Sequence, residues 1–286
     1  MYLLIALLLS AAPPTDVTGL AHLSPEAIRR YAAGLDPRSK IALQHEIWRR
    51  GVNYNLTDQQ IWATQEGIGP DDMLLAARGC LAAGNCYEAL LLKQERKDGK
   101  YNAVPDRIQI RVCESPRRLW MRWLPGGRHA GQEAIFDASR DPLHLRVHGG
   151  GILNVINLTI GLDGAFAKED TEHHVTELSF GGLFEKIEAD RVQLRKEGRP
   201  IDPVIHRSTV FKGRRYWEML YKTPPGPPLY YSWETRFLFD LDSGMPRVTE
   251  VYDRDMKIRE RYEFETLRWE PSPKGWFDEK NPEYKF

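Results

Sequence analysis

Two spacings of apolar residues divide this chain. Up to about residue 84 they recur at helical intervals, and from Tyr87 onward they alternate, the period of a strand with one dry face. In the first part, Ser24-Pro25-Glu26 and Asp36-Pro37 each set a capping side chain before a proline at the first helical position. The pattern predicts helices over 25–34, 38–50, 58–66 and 71–83. Ile41, His45 and Trp48 share one stripe of the second, so it must pack on something.

Beyond Tyr87, DRIQIRVC sets Ile108, Ile110 and Val112 against Arg107, Gln109 and Arg111. RLWMRWL sets Leu119, Met121 and Trp123 against Trp120, Arg122 and Leu124, and LHLRVH sets Leu143, Leu145 and Val147 against His144, Arg146 and His148. Asp98-Gly99, Pro125-Gly126-Gly127 and Asp163-Gly164 supply turn residues where strands reverse. RRYWEMLYK follows, then YYSWETRFLFDL with Tyr231, Trp233, Thr235, Phe237, Phe239 and Leu241 on its apolar face, and a last hairpin turning between Asp253 and Lys257. One helix, 177–197, interrupts the strands with Phe180, Leu183, Phe184, Ile187 and Leu194 on one stripe. The expected fold class is α+β: a strongly curved antiparallel β-sheet, an incomplete barrel of about nine or ten strands covered by helix, its concave face buried on something. The expected division is a signal peptide over 1–12, a helical extension over 24–70 and a curved-sheet domain over 71–286.

Charge narrows the partners. Forty basic and forty acidic residues cancel, so no net field gathers nucleic acid or an anionic membrane surface. The 42% apolar and 28% charged content of the 286 residues suits a folded chain with one sizeable core. At the N-terminus, MYLLIALLLSAAPP places small residues Ser10, Ala11 and Ala12 after an apolar run from Tyr2 to Leu9, the core and cleavage region of a secretory signal. That run is far shorter than the roughly twenty residues that span a bilayer, and no later stretch is longer and uncharged, so no transmembrane segment is expected. Export to the periplasm or cell envelope is. The three cysteines form no C-x-x-C pair and do not suit zinc. Cys80 and Cys86 flank Gly84, whose cap would fold the chain back and bring them within disulfide reach; otherwise they are two small buried thiols. Cys113 is expected in the core.

Four segments, YEALLLKQERKDGK, RIQIRVCESPRRLWMRWLPGGRHAGQEAIFD, HHVTELSFGGLFEKI and the C-terminal WFDEKNPEYKF, together resemble a bacterial family, domain of unknown function 1571 (DUF1571), over about residues 72–286 and in the same order. FDLDSGMPRVTEVYDRDMKIRERYEFETL is in addition similar to the last hairpin of the LolA and LolB type of lipoprotein carrier. The second resemblance implies a curved antiparallel sheet wrapped around helices, with an apolar cavity that accepts acyl chains. The chain departs from the family in carrying Pro116-Arg117-Arg118 where a proline-aromatic pair is expected, and in its extension before residue 71.

No G-x-S-x-G, H-E-x-x-H or G-x-x-x-x-G-K-[ST] motif occurs, and Gly149–Gly151 lacks the spacing of a dinucleotide loop. No catalytic residue, metal or cofactor is expected. His173-His174 beside Glu169, Asp170 and Glu172 are metal-ligating types, but adjacent histidines on an extended segment point to opposite sides, which favours a polar loop. Asp240, Asp242 and Gly244 open like a calcium loop without its later ligands and read as a turn. Of Gln132 and Glu133 one faces inward, and a buried carboxylate there is either a general acid or a satisfied structural acceptor. TPPGPPLYY, 223–231, is stiff, either a partner-facing rim or a rigid hairpin connection. Leu119, Met121, Trp123, Trp217, Met219, Tyr231, Trp233, Phe237 and Phe239, with Phe180 and Phe184 of the helix, are the candidate lining of a ligand cavity, since methionine among aromatics suits a wall that adapts to varied apolar ligands. The equal alternative is that the 177–197 helix fills the concavity. The expected function is an exported envelope protein, not an enzyme, that binds or carries a hydrophobic ligand such as a lipid or lipoprotein acyl chain. The alternatives are a scaffolding envelope protein that binds another protein, and an envelope hydrolase with Glu133 as its acid.

Overall fold

The helix starts act as the sequence writes them. Ser24 accepts from the Ala27 N–H at 3.2 Å, and Asp36 from the N–H groups of Arg38 and Ser39 at 3.0 and 3.1 Å. Thr57 and Gln60 form a reciprocal capping box. The computed structural model describes residues 17–50, 55–97, 99–151, 156–164, 167, 171, 173–199, 202–223, 232–271 and 273–286. The helices are α1 (Val17–Leu20), α2 (Pro25–Ala33), α3 (Pro37–Arg50), α4 (Asp58–Glu66), α5 (Pro70–Gly84) and α6 (Phe180–Lys196), the last after a 3-10 turn over Val175–Leu178. Residues 1–12, the expected signal, lie outside the described residues, as do Tyr231 and most of the proline-rich 223–231 segment.

The strands are β1 (Cys86–Lys97), β2 (Lys100–Tyr101), β3 (Asp106–Glu114), β4 (Arg117–Trp123), β5 (Glu133–Asp137), β6 (His144–His148), β7 (Asn157–Gly161), β8 (Ile205–Phe211), β9 (Arg214–Lys222), β10 (Glu234–Asp240), β11 (Pro246–Tyr252) and β12 (Ile258–Trp269). They form one twelve-stranded sheet in the order β7-β6-β5-β4-β3-β1-β12-β11-β10-β9-β8, with β2 beside β1. The fold class is α+β with a curved, unclosed antiparallel sheet. Register shifts at Leu90/Leu91 and Val251/Tyr252 mark bulges, which bend a strand and raise its twist. The short β2 and the divided last strands raise the count above the nine or ten expected.

Packing divides the chain into two compact units. One holds Met1–Ala83, Asp202–Tyr221 and Phe237–Pro246; the other holds Gly84–Ile201, Lys222–Arg236 and Arg247–Phe286. In the first, Val17, Leu20, Ile28, Ala32, Leu43, Ile47 and Ala63 share one core, each large side chain contributing roughly 1.5–3 kcal/mol. Lys40 of α3 pairs with Asp72 of α5 at 2.8 Å.

In the second unit the antiparallel register sorts every side chain to one of two faces. Ile108, Ile110, Val112 and Glu114 of β3 lie beside Trp123, Met121, Leu119 and Arg117 of β4 on one side; Gln109, Arg111 and Cys113 lie beside Arg122, Trp120 and Arg118 on the other. The first is the α6 side, where Phe180 packs on Tyr87 and Phe264 at ring distances of 5.0 and 4.3 Å. The second is covered by the C-terminal segment, whose Trp276, Phe277 and Tyr284 join Cys86, Cys113, Trp120 and Ile135 in one buried cluster. RLWMRW therefore buries both of its faces, although alternation predicts one wet side.

The cysteine expectation is corrected. Cys86 is bonded to Cys113, and Cys80 is a free, half-buried thiol. Cys86 and Cys113 are direct partners in the β1–β3 register with Cα atoms 4.1 Å apart, whereas α5 holds Cys80 with Gly244 as its near neighbour. A cross-link closing a loop of this length stabilises by about 2–4 kcal/mol. Replacing Cys113 by Ser is expected to lower the unfolding free energy read from urea denaturation by that amount, and replacing Cys80 by Ser to leave it within about 0.5 kcal/mol of wild type; the reverse order would contradict this pairing.

Candidate functional site

The α6 face is organised by one carboxylate. Glu114, at the end of β3, accepts from the Gly181 N–H at 3.0 Å, the Ser179 hydroxyl at 3.1 Å and the Tyr87 hydroxyl at 3.2 Å. Tyr87 in turn accepts from the Phe180 N–H at 2.9 Å, and Ser179 caps the helix through the Gly182 N–H at 3.0 Å. A buried anion thus faces the helix N-terminus, where unpaired N–H groups favour negative charge. Burial raises the Glu114 carboxyl pKa, against the pull of Gly181, Arg117, Ser179 and Tyr87. Glycine at position 181 lets the carboxylate come this close: a Cβ there would stand 2.3 Å from Glu114 Oε2, and the carboxylate would have to shift. Arg117 completes the anchor with a two-pronged bond to Glu185 at 2.7 and 2.9 Å.

A second polar group lies on the same face where β1 and β12 put Glu95 directly opposite Glu260. Like charges so placed repel. His173 offsets this, its two ring nitrogens standing 2.7 Å from Glu177 and Glu260. Both nitrogens are donors only in the imidazolium form. Burial works against that charge, but the two carboxylates overcome it and raise the His173 pKa to about 9. Glu95 receives the Tyr262 hydroxyl, the Thr171 hydroxyl at 3.1 Å and Lys93 at 3.2 Å, while Lys186 stands 3.7 Å from Glu177. The histidine expected in a polar loop is an ionic tie between the sheet and the turn before α6. His174 faces Asp163 instead, at 3.3 Å; Glu169, Asp170 and Glu172 lie outside the described residues. Among the described residues no group of three metal-ligating side chains forms.

On the opposite face Arg111 lies over the rings of Trp120, Trp276 and Tyr284 at 5.0, 5.5 and 5.8 Å, and Trp120 stacks on Tyr284 at 4.5 Å. Glu133 is the inward member of the Gln132–Glu133 pair and has no exposed surface. It accepts from Arg122 at 2.8 Å and from the Trp120 ring and the Lys285 N–H, both at 3.3 Å. Every one of those donors holds the C-terminal segment or the strand, so Glu133 is a structural acceptor. Asp240 and Gly244 form the expected turn, with Gly244 N–H to Asp240 C=O at 2.8 Å and Ser243 on the Asp240 carboxylate at 2.8 Å.

The candidate lining residues fall in both units. Trp217, Met219, Phe237 and Phe239 are core residues of the first. Leu119, Met121, Phe180 and Phe184 are buried in the second, and Trp123 and Trp233 are half-buried there. Alternation did not single out the residues that remain open. Val147 pairs with Leu158 and Leu145 with Ile160, and Val147 also pairs with Ala134, which pairs with Met121. Leu158 and Ile160 therefore share the α6-side face. The ladder runs on through Gly149 N–H to Ile156 C=O and Leu162 N–H to Leu143 C=O, each 2.9 Å, which carries Ile156 and Leu143 to the same face. Leu143, Ile156 and Leu158 are 68, 40 and 46% exposed, against 0% for Leu119 and Met121. The face is sealed at β3, β4 and β6, where Leu145 and Val147 are 5 and 9% exposed, and opens at Leu158 and the flanking Leu143 and Ile156 along its β7 margin.

A family described as protein of unknown function (DUF1571) matches residues 85–286. No curated protein matches the chain. Among solved structures, an uncharacterized conserved protein from Thermus thermophilus is similar at 6% identity over 70% of this chain and 86% of its own, with a TM-score of 0.41. A putative outer membrane lipoprotein-sorting protein domain from Vibrio parahaemolyticus is similar at 10% identity, 70 and 92% coverage and a TM-score of 0.34. The MucA/MucB complex of Pseudomonas aeruginosa gives 15% identity, 69% of this chain against 56% of that one, and a TM-score of 0.36.

The His173 tie makes stability depend on pH. Because its folded pKa of about 9 lies above the reference 6.5, the stabilising charge is fully present below pH 6.5 and is lost as pH rises through about 9, a change of about 3 kcal/mol. Urea midpoints of wild type are expected to fall across that window, and those of His173→Gln to stay level. Parallel curves for the two would contradict the imidazolium assignment.

Proposed function

The chain belongs to the DUF1571 family, and from that premise we propose that it is an exported, non-enzymatic envelope protein that binds a hydrophobic ligand, an acyl chain of a lipid or lipoprotein, along the β7 margin of the α6-side face. One observation carries the reading: Leu143, Ile156 and Leu158 stand exposed at the margin of a face on which Leu119, Met121, Ala134, Leu145 and Val147 are buried. Ile156 and Leu158, two residues apart on one face, make the open apolar margin, and apolar surface left open on a folded protein is where a hydrophobic partner gains most by binding. Half-buried Trp123, of the same β4 face, would extend the wall inward, whereas Leu119, Met121 and Phe180 would serve as its packed support.

Export is supported by two independent features. The apolar run before Ser10-Ala11-Ala12 has the make-up of a secretory signal, and the Cys86–Cys113 bond suits an oxidising compartment. Among the described residues no helix is long and apolar enough to cross a membrane. Catalysis finds little support in the buried acids. Glu114, Glu133 and Glu260 are each taken up by bonds that hold the fold.

Native mass spectrometry of protein purified from its own envelope is expected to register a co-purifying lipid, lost in Leu158→Asp while thermal stability stays within about 1 kcal/mol of wild type, as for an exposed position. Bare protein in every preparation would overturn the ligand reading.

A further inference from the structure

The strand that carries the open leucine is also the end of the sheet. β7 bonds to β6 on one side, and among the described residues no strand covers the other. Its hydrogen-bonding parity follows from the two flanking bonds, Gly149 to Ile156 and Leu162 to Leu143. Bonded and non-bonded pairs alternate along an antiparallel ladder, so Ile156, Leu158, Ile160 and Leu162 direct their backbone groups to β6. Asn157, Thr159 and Gly161 direct theirs outward, where the Gly161 carbonyl is already bonded to the Gly164 N–H at 2.9 Å.

Protein sheet edges are normally blunted by charge, proline or cover. This one has none of the first two. Between His148 and Asp163 the chain runs GGGILNVINLTIGL without one charged residue or proline, in a protein that is 28% charged. Burial in lipid is a poor destination for such an edge, since each unpaired N–H or C=O in hydrocarbon costs several kcal/mol. A strand is the better occupant because it bonds these groups as well as the side chains.

We propose that the strand is β7 of a second copy of this chain, joined antiparallel about a two-fold axis at Thr159. In that register Thr159 faces Thr159 of the partner subunit and the two exchange both backbone bonds. The Gly161 N–H of each copy donates to the Asn157 C=O of the other, so outward-pointing groups meet outward-pointing groups. Leu158 of each copy lies beside Ile160 of the partner subunit on one side of the joined sheet, an apolar cross-strand pair, and Thr–Thr and branched apolar pairs are favourable in sheets. No charge opposes another across the seam. A two-fold axis perpendicular to the sheet keeps the α6-side faces on the same side, so the two exposed strips become one wall. The pairing stands on the edge itself and does not require that a lipid binds the wall.

The test uses the full chain. Sedimentation equilibrium is expected to give a dimer, and Thr159→Pro a monomer of unchanged fold, because the Thr159 N–H takes no part in the β6 ladder and proline is tolerated where an edge strand's N–H points outward. In a Cys80→Ser background, Thr159→Cys is expected to form a covalent dimer under mild oxidation, its two Cα atoms falling about 5.5 Å apart in a bonded pair. Leu158→Cys and Asn157→Cys, each displaced from its own copy along the strand, are expected to cross-link at least about tenfold less, beyond the disulfide reach of about 7 Å. A wild-type monomer, a dimer that survives Thr159→Pro, cross-linking equal at 157, 158 and 159, or capture of a different protein through residue 159 in place of a second copy would each overturn the proposal.

Discussion

A β-sheet has two faces, and a strand set that is apolar on one and crowded with tryptophan and arginine on the other can leave neither in water. The second unit meets this constraint with two different covers. α6 closes one face and is fastened by Glu114, which gathers the Gly181 N–H and the hydroxyls of Ser179 and Tyr87. The C-terminal segment closes the other, where Arg111 is sandwiched among Trp120, Trp276 and Tyr284 and Glu133 ties Arg122 to the Lys285 N–H. Both fastenings are buried charges with several donors or aromatic faces around them, the arrangement in which desolvation is offset.

The location of the proposed binding surface follows from where those covers stop. Leu119, Met121 and Phe180 are packed too closely to meet a ligand, while the β7 margin of the same face keeps Leu158 open and Leu143, just before β6, is open as well. The polar chemistry of the unit is spent in the sealed part. His173 neutralises the cross-strand Glu95 and Glu260 pair and pins the turn before α6, so its charge is a matter of stability. The β7 edge, which no strand among the described residues covers, adjoins the open margin, and the two features share one uncharged stretch of sequence.

Much of this was legible beforehand. Helix starts were, because a capping serine, aspartate or threonine acts within a few residues of itself; so were the strands, since alternation is local. That one of Gln132 and Glu133 faces inward, and the turn at Asp240, also followed from spacing, whereas which of the pair does so did not. What escaped was set by pairings distant in sequence. Nothing near Cys86 announces that Cys113 will lie opposite it, and the rule that a glycine cap brings neighbours together pointed to Cys80. The outer face of RLWMRW looked wet because its cover, WFDEKNPEYKF, begins about 150 residues later. The signal available was four aromatics in a short segment without strand or helix period, which must find an apolar surface elsewhere. The exposed residues were not legible for the opposite reason: methionine and tryptophan drew attention as a wall, whereas Met121, Trp217 and Met219 are buried in the core and the exposed residues are plain aliphatics at a sheet end.

The central claim is that, among the described residues, the α6-side face is sealed at its middle and open along its β7 margin. Mapping the attachment site of a photoreactive fatty acid on the intact protein tests this most directly. Label confined to peptides spanning residues 143–162, and beyond them at most Trp123, is the predicted result. Label concentrated on Met121, Phe180 or Phe184 would contradict it, since those side chains would then have to face a guest and not one another.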